Sequence, residues 1–428
     1  MRTEPLDAKT ATANRKRLAR LLPAKSVAIL NANDIFPINA DGTFSLRANS
    51  DLFHLSGIEQ EETILLLFPD ANDARFREVL FIRESKPEHE LWEGHKLTCE
   101  EGRQISGVQQ VQFVTDFDAT LHRIICEAEH VYLNTNEHRR ANADVPTRDD
   151  RFISEIRKRY QLHEFCRLAP LMHAIRLVKL QGEVALIKKA CALTGSGFKR
   201  VLKMIRPGVN ERAVEAELAH EFIRGHGRFA YDPIVASGAN ACILHYTENS
   251  MEMKDGDLVL LDVASSFANY NSDLTRTVPV NGRFTKRQRD VYDAVLRVLK
   301  HSTKQLKPGL KISRWQAEAE AMMTEELLKL RLLKTGDIKK TKSGVSPAKK
   351  YFMHGLGHPI GLDVHDVGDT SKPIKAGWVM TVEPGIYIPE EKMGIRLENT
   401  VLVTEKGPRN LMADIPLEAT EIEDWMKR

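Results

Sequence analysis

The chain has 428 residues, of which 42% are hydrophobic and 28% are charged, the proportions of an ordinary globular protein. Its 62 basic and 59 acidic residues leave a formal net charge of +3, so no overall field favours nucleic acid or a membrane surface as a partner. No apolar run approaches the roughly 20 residues that cross a bilayer. The N-terminal segment also lacks the apolar core of a signal peptide.

The cysteines carry no motif for metal or thiol redox chemistry. They are odd in number and widely spaced, and no CxxC pair occurs: Cys99, Cys126, Cys166, Cys191 and Cys242. Free thiols in a reducing compartment are the simplest interpretation. We therefore expect a cytoplasmic protein.

The first part of the chain alternates strand-like and helix-like segments. Apolar, β-rich runs predict strands at SVAILNA, ETILLLFP, REVLFIRE and HVYLNTN. Residues 14–22 and the segment DANDARF have a composition compatible with helix. This alternation predicts a small mixed α/β domain, which we place at residues 1–172.

From Glu183 the pattern changes. Apolar residues keep helical spacing to Ile205, until Pro207-Gly208 ends the helix. Asn210 can cap a second helix. The inner face of that helix carries Val214, Leu218 and Phe222. The rest of the chain is predicted to form strands over 234–280, helices over 286–306 and 313–333, a solvated Lys-rich loop over 334–350, and strands to the end.

Four acids of the second half lie in apolar segments, where an ionised carboxylate must be paired, hydrogen-bonded or metal-bound. The segments are LVLLDVAS, YNSDLTRT, VMTVEPGIYI and GIRLENTVLV, and a histidine lies nearby in MHGLGHPIGLDVHD. The five residues are Asp262, Asp273, His358, Glu383 and Glu398. One buried acid is usually a satisfied structural group, but this set predicts a metal site.

The charges of the four acids favour two metal ions. Two divalent cations would neutralise four carboxylates, whereas one would leave a large uncompensated charge. The acids also fall into two strand–turn–strand units, which predicts a duplicated layout facing a shared cleft. Carboxylates suit Mn²⁺, and the histidine also permits Co²⁺, Fe²⁺ or Zn²⁺. Paired ions can activate a shared water and polarise a carbonyl, which is hydrolytic chemistry.

At these motifs the chain resembles a known family. HGLGHPIGLDVHDVG, LLDVAS with SDLTRTVPVNG, TVEPGIY and GIRLENT are similar to motifs of the pita-bread metallopeptidases. AYDPIVASGANACILHYTEN, RANSDLFHLSGIEQEE and HELWEG resemble the aminopeptidase P (Xaa-Pro aminopeptidase) subgroup. The family usually has glycine two residues after the first aspartate. Here Ala264 stands there, which should be tolerated unless the backbone needs a positive φ.

The resemblance implies a role for each candidate ligand. Asp262 and Asp273 would hold one metal, with Asp273 shared between the two. His358 and Glu383 would serve the second metal, and Glu398 would bridge. Glu383 would also be the proton shuttle. It would take a proton from the bridging water, which leaves a bridging hydroxide, and deliver that proton to the leaving proline nitrogen.

The remaining site residues also come from the resemblance. His245 and His365 would be catalytic, by stabilising the tetrahedral intermediate. The implied substrate-binding residues are His354, Arg396, Tyr387, Tyr231 and Trp92. Trp92 matches a tryptophan that relatives present toward a neighbouring subunit's active site, and its alternative is an ordinary packed aromatic of the small domain.

The implied fold is α/β (α+β), with a creatinase-like N-terminal domain over 1–172 and a pita-bread catalytic domain over 173–428. The implied activity is a metal-dependent exopeptidase that cleaves Xaa-Pro bonds through a bridging hydroxide on two divalent ions, with Mn²⁺ favoured. Peptides with proline second are the expected partners, and a homodimer or homotetramer is expected. Two alternatives remain: an Xaa-Pro dipeptidase (prolidase) and a non-catalytic peptide-binding protein of the same fold.

Overall fold

A computed structural model describes residues 6–141, 144–340 and 345–427. Part of the predicted Lys-rich loop, 341–344, therefore lies outside the described residues. The chain forms two compact units. The first runs to Arg176 and includes Leu180–Glu183, and the second comprises Leu177–Lys179 and the chain from Val184 onward. Among the described residues, no helix combines the length and apolarity that a membrane span requires.

The first unit contains a mixed sheet and several short helices. Its strands are β1 (Ser26–Asn31), β2 (Ile64–Leu67), β3 (Glu78–Ile82), β4 (Gln110–Phe113), β5 (His130–Leu133) and β6 (Glu164–Arg167). Its helices are α1 (Ala8–Ala19), α2 (Ser50–Ser56), α3 (Pro87–Glu93), α4 (Cys99–Ser106), α5 (Phe117–Ile125), α6 (Arg148–Arg159) and α7 (Ala169–Leu177).

The sheet explains why its strands are continuous apolar runs. Its order is β4-β3-β2-β1-β5-β6, with β1 antiparallel to β2 and parallel to β5. Along β1, Ala28 and Leu30 pack into one hydrophobic cluster, and Val27 and Ile29 pack into another. Successive side chains point to opposite faces, so both faces are covered. The four predicted strands are confirmed.

Two helix predictions in this unit need correction. Helix α1 begins at Ala8 and not at residue 14, because the Asp7 side chain accepts the Thr10 N–H and caps it. The segment DANDARF forms only a short 3₁₀ turn, Ala74–Phe76, with Asp73 accepting the Arg75 N–H. Composition alone did not reveal these local side-chain bonds.

The second unit carries the predicted metal ligands. Its helices are α8 (Gln181–Val201), α9 (Glu211–Arg224), α10 (Lys286–Gln305), α11 (Ile312–Lys329), α12 (Thr335–Lys340) and α13 (Ala419–Met426). Its strands are β7 (Arg228–Phe229), β8 (Ile234–Ser237), β9 (Leu258–Asp262), β10 (Ser265–Phe267), β11 (Tyr270–Asn271), β12 (Thr275–Pro279), β13 (Val379–Val382), β14 (Gly385–Ile388), β15 (Met393–Arg396), β16 (Asn399–Thr404) and β17 (Gly407–Asn410).

Most elements of this unit were predicted. The Asn210 side chain accepts the Arg212 N–H and caps α9, and the three residues of its predicted inner face are buried. Helix α8 ends at Val201, before Ile205. The Lys-rich segment is not entirely loop, because Asp337 accepts the Lys334 N–H at the start of α12. The final helix α13 replaces a predicted strand.

The duplicated layout predicted from the sequence is present. Strand β9 pairs with β12, and β13 pairs with β16, both antiparallel. A small hairpin is inserted into each pair: β10 with β11 in the first, and β14 with β15 in the second. All four acids lie at the junctions between long pair and small hairpin. The Glu398 N–H donates to the Thr275 carbonyl and links the halves.

Arg15 is the largest polar group in the interior of the first unit. Its side chain is fully buried on α1. Its Nε donates to Glu78 Oε2 at 2.8 Å, and its Nη1 donates to the carbonyls of Leu55 and Ser106 at 2.7 and 2.8 Å. One guanidinium therefore ties together α1, α2, α4 and the start of β3.

We expect Arg15→Ala to lower the free energy of unfolding by about 3 kcal/mol, because two buried carbonyls and a half-buried carboxylate lose their donor. Chemical denaturation would measure it. The matched control is Arg75→Ala, since the Arg75–Asp73 ion pair lies at the surface and should contribute little. Equal effects of the two substitutions would contradict the role given to Arg15.

Candidate metal centre

The five predicted ligands converge at the junctions of the two hairpin pairs. Asp273, His358 and Glu398 each present a ligand atom within 4.8 Å of the other two. His358 Nε2 lies 3.5 Å from Asp273 Oδ2 and 3.4 Å from Glu383 Oε1. Asp262 joins this group through Tyr231, whose hydroxyl contacts Asp262 Oδ1 at 2.5 Å and Asp273 Oδ1 at 2.6 Å.

The electrostatics are those of four acids with fewer positive neighbours than negative charges. Burial raises the pKa of Glu383 to about 7, and the charge of Asp273 adds to the shift. Burial also raises the pKa of Asp262, and it raises that of Glu398 well above its usual range. Burial alone would lower the pKa of His358, but the hydrogen bond to Asp273 and the charge of Glu383 raise it to about 9. In the metal-free protein, bound protons therefore compensate the negative charge that metal ions would otherwise balance.

These donors fit divalent cations. Glu398 Oε1 is buried and has no hydrogen-bond partner among the described residues, although buried carboxylate oxygens are normally satisfied. Its other oxygen accepts from the Thr275 hydroxyl at 2.7 Å. An oxygen-rich set with one imidazole suits hard or borderline ions. We conclude that the cluster can hold metal.

Two threonines that the sequence analysis did not identify orient the ligands. Besides donating to Glu398, the Thr275 hydroxyl accepts from Arg396 Nε at 3.1 Å. The Thr381 hydroxyl accepts the His358 N–H at 2.9 Å and lies 3.3 Å from Glu383 Oε1. Thr381 lies two residues before Glu383, and this spacing in extended chain places two side chains on the same side. The acid that Thr275 contacts, Glu398, is 123 positions away, so only Thr381 had a signal in the local sequence.

Arg396, Tyr387 and His354 form a chain of contacts from Asp262 toward Glu383. Arg396 Nη2 donates to Asp262 Oδ2 at 2.6 Å, and Nη1 donates to the Tyr387 hydroxyl at 2.6 Å. His354 Nε2 lies 2.9 Å from that hydroxyl, and Nδ1 lies 3.9 Å from Glu383 Oε2. Arg396 is buried and pairs with Asp262, a predicted metal ligand. Its contact with substrate stays a prediction.

The other predicted residues lie at different distances from the ligands. The His365 ring centroid lies 4.4 Å from that of His358, edge to face, and the residue is exposed. His245 is also exposed and contributes to the lowered pKa of His354, which burial and Arg396 bring to about 3. Trp92 lies on α3 of the first unit and is 87% exposed, so the packed-aromatic alternative is wrong within this chain.

The substitution of the usual family glycine causes no strain. Ala264 is fully buried, and its backbone does not adopt a positive φ. A Cβ is therefore compatible with the conformation beside Asp262.

Comparisons with known proteins identify the family of the chain. Residues 185–405 match the model of metallopeptidase family M24, and residues 11–132 match that of the aminopeptidase P N-terminal domain. The chain is 36% identical to Xaa-Pro aminopeptidase of Escherichia coli, over 96% of each chain. It is 35% identical to Xaa-Pro aminopeptidase of Haemophilus influenzae, over 91% of this chain and 90% of the relative. The structure of E. coli aminopeptidase P with the inhibitor Pro-Leu matches with a TM-score of 0.88 and 32% identity, covering 99% of both chains.

We expect Mn²⁺ to displace protons when it is added to the metal-free protein at neutral pH, because His358 (pKa about 9) is then almost fully protonated and Glu383 (pKa about 7) is about half protonated. Calorimetry in buffers of different ionisation enthalpy would count the protons released. Glu383→Gln, which removes one titrating group, should release fewer. Metal binding without proton release would contradict the raised pKa values.

The same shifts predict how the stability of the metal-free protein depends on pH. The folded state holds an extra proton on Glu383 between pH 4.5 and about 7, and on His358 between pH 6.5 and about 9. Stability should therefore fall as pH rises through these windows. Thermal unfolding in a chelator would test this expectation, and a stability that rises over the same range would contradict it.

Proposed function

The chain belongs to metallopeptidase family M24, and on that basis we propose that it is an Xaa-Pro aminopeptidase, which removes the N-terminal residue from peptides with proline second. The observation that carries the proposal is the cluster of four carboxylates and His358, in which Asp273 and Glu398 are buried and Asp262 and Glu383 are half-buried. The pKa values of Asp262, Glu383 and Glu398 are raised, and one Glu398 oxygen has no hydrogen-bond partner among the described residues. Such a cluster is costly unless cations complete it.

The proposed cofactor is a pair of divalent ions, with Mn²⁺ favoured and Co²⁺, Fe²⁺ or Zn²⁺ compatible with the donors. Asp262 and Asp273 would hold one ion, and His358 and Glu383 would hold the other, with Asp273 and Glu398 shared. When bound, the ions would lower the pKa of a water and polarise the scissile carbonyl. The protein's part is to keep the acids in place through Tyr231, Thr275 and Arg396.

Glu383 is the proposed proton carrier. Its pKa of about 7 in the metal-free protein shows that its surroundings do not hold it firmly in the charged form. It follows the end of β13, and the Thr381 hydroxyl lies beside one of its oxygens. A carboxylate there would take a proton from the attacking water and return it to the departing proline nitrogen.

The histidines around the acids are suited to hydrogen bonding with the reacting carbonyl. The low pKa of His354 keeps that imidazole neutral at physiological pH, so it can orient a substrate group without adding charge. His365 and His245 are exposed and so accessible to a bound peptide. We propose that they stabilise the oxygen on which negative charge develops.

The preference for proline has a chemical reason. An Xaa-Pro bond is a tertiary amide, and its nitrogen has no N–H to offer. A peptidase that binds this N–H loses a contact, whereas polarisation of the carbonyl does not require it. Selection would then depend on a slot that fits the ring. Tyr387 is fully buried between Arg396 and His354, so we propose that it supports the slot from behind through these two residues.

We further propose a cytoplasmic enzyme that forms a homodimer or homotetramer. All five cysteines are free, as is usual in a reducing compartment. Trp92 and Leu91 are 87% and 80% exposed on α3, and adjacent large apolar side chains are often covered by a partner.

Glu383→Gln should lower kcat on an Xaa-Pro-Xaa tripeptide by about 10²–10⁴-fold, because the amide cannot carry the proton. Metal analysis would establish that the variant is loaded. Glu390→Gln is the matched control, since Glu390 is an exposed residue of the turn after β14. Appreciable turnover by loaded Glu383→Gln protein would exclude the proton-carrier role.

Peptide length should separate the proposed activity from that of a dipeptidase. We expect hydrolysis of Xaa-Pro-Xaa and longer peptides, and little hydrolysis of peptides with alanine second. Chromatography of the products after metal reconstitution would measure both. Cleavage restricted to Xaa-Pro dipeptides would indicate a prolidase, and no cleavage by the metal-loaded protein would indicate a binding function.

A further inference from the structure

A buried ion pair involves the residue that follows His365 in the chain. Lys179 Nζ donates to Asp366 Oδ2 at 2.8 Å, and both side chains are only 1% exposed. Lys179 belongs to the three-residue segment Leu177–Lys179 of the second unit, and its N–H donates to the Gly377 carbonyl. Asp366 immediately follows His365.

Asp366 closes the segment 358–366, which we call the histidine loop. Its N–H donates to the Pro359 carbonyl at 2.9 Å, and its Oδ1 accepts the Val367 N–H at 3.0 Å. This hydrogen bond joins Pro359, which follows His358, to Asp366, which follows His365. The closure accounts for the 4.4 Å separation of the two ring centroids.

Other parts of the second unit hold the loop from outside. Asn271 Nδ2 donates to the Leu362 carbonyl at 2.8 Å, and the Asn271 N–H donates to the Gly361 carbonyl at 2.8 Å. The His358 carbonyl accepts from the Thr381 N–H. Lys179 supplies the charged contact at the far end of the loop, next to His365.

Gly361 is the residue that lets the ion pair pack against the loop backbone. A Cβ at this position would lie 2.3 Å from Asp366 Oδ2 and 2.9 Å from Lys179 Cε. Because Gly361 has no positive φ, its backbone conformation would allow alanine. The requirement for glycine is therefore the space that the ion pair occupies.

We propose that Lys179 is a positioning residue for the histidine loop, acting through Asp366 to hold His358 and His365 toward the acid cluster. A buried ion pair adds little net stability compared with apolar side chains of similar size. The ion pair does fix the direction of a short, strong hydrogen bond between its two side chains. The inference rests on the proposed function for its kinetic readout but not for its metal-binding readout.

The test uses two different perturbations of the same contact. Lys179→Met removes the charge and keeps the side-chain length, while Gly361→Ala displaces the pair without changing either charge. Each should weaken Mn²⁺ affinity and lower kcat about 10–100-fold, the usual effect of losing a residue that orients a metal ligand. KM should change less. Electron paramagnetic resonance of free Mn²⁺ would give the affinities, and Val291→Ala in the buried core of α10 would control for lost stability.

The double variant Lys179→Met with Asp366→Asn separates positioning from general stability. It leaves no stranded charge, so its melting temperature should recover relative to Lys179→Met. Its Mn²⁺ affinity and kcat should stay low, because the contact is still missing. The proposal would be overturned if the Mn²⁺ affinity and kcat of the double variant recovered together with its melting temperature. It would also be overturned if Lys179→Met and Gly361→Ala each left the Mn²⁺ affinity and kcat unchanged. If the wild-type protein cleaved no Xaa-Pro peptide, the proposed function would fail and the Mn²⁺ affinities alone would decide this inference.

Discussion

The site of the second unit depends on one electrostatic constraint: four carboxylates, two buried and two half-buried, share a space that cannot accept four negative charges. Without cations, protons must compensate, which is why the pKa values of Asp262, Glu383 and Glu398 are raised. With cations, the same arrangement becomes a preorganised binding site. The unpartnered oxygen of Glu398 and the short contacts of Tyr231 to two acids are both consequences of this constraint.

The duplicated hairpins make such a concentration of charge possible. Each long strand pair ends where a small hairpin begins, so two acids emerge at each junction from a rigid ladder of backbone hydrogen bonds. Ligands that lie at strand ends, or one or two residues beyond them, need few additional contacts to hold their direction. The histidine loop has no such ladder along its length. It is held by Asn271, Thr381 and the Lys179–Asp366 pair, and these contacts give an irregular segment a fixed shape.

The sequence predicted much of the fold, and its failures have identifiable causes. Continuous apolar runs located β1, β2, β3 and β5 because both faces of the sheet are covered. Helices α2 and α4, of seven and eight residues, are too short for a helical period to show in the sequence. Helix α12 was missed because a single Asp337 cap, and not its composition, begins it. At the site, the acids were recognised because a charge in an apolar segment is costly, whereas Thr275 and Thr381 are unremarkable in a strand.

The sequence by itself identified the acids that come together in the fold, because an acid in an apolar run must be compensated wherever it folds. It also determined the pairing of the acids into two units, through the spacing of turn residues. Only the tertiary structure decided which groups surround each acid: that Arg396 pairs with Asp262, that one oxygen of Glu398 has no partner, and that Lys179 reaches Asp366. These contacts join residues more than 100 positions apart, and no local pattern encodes a distance that depends on how separate elements pack.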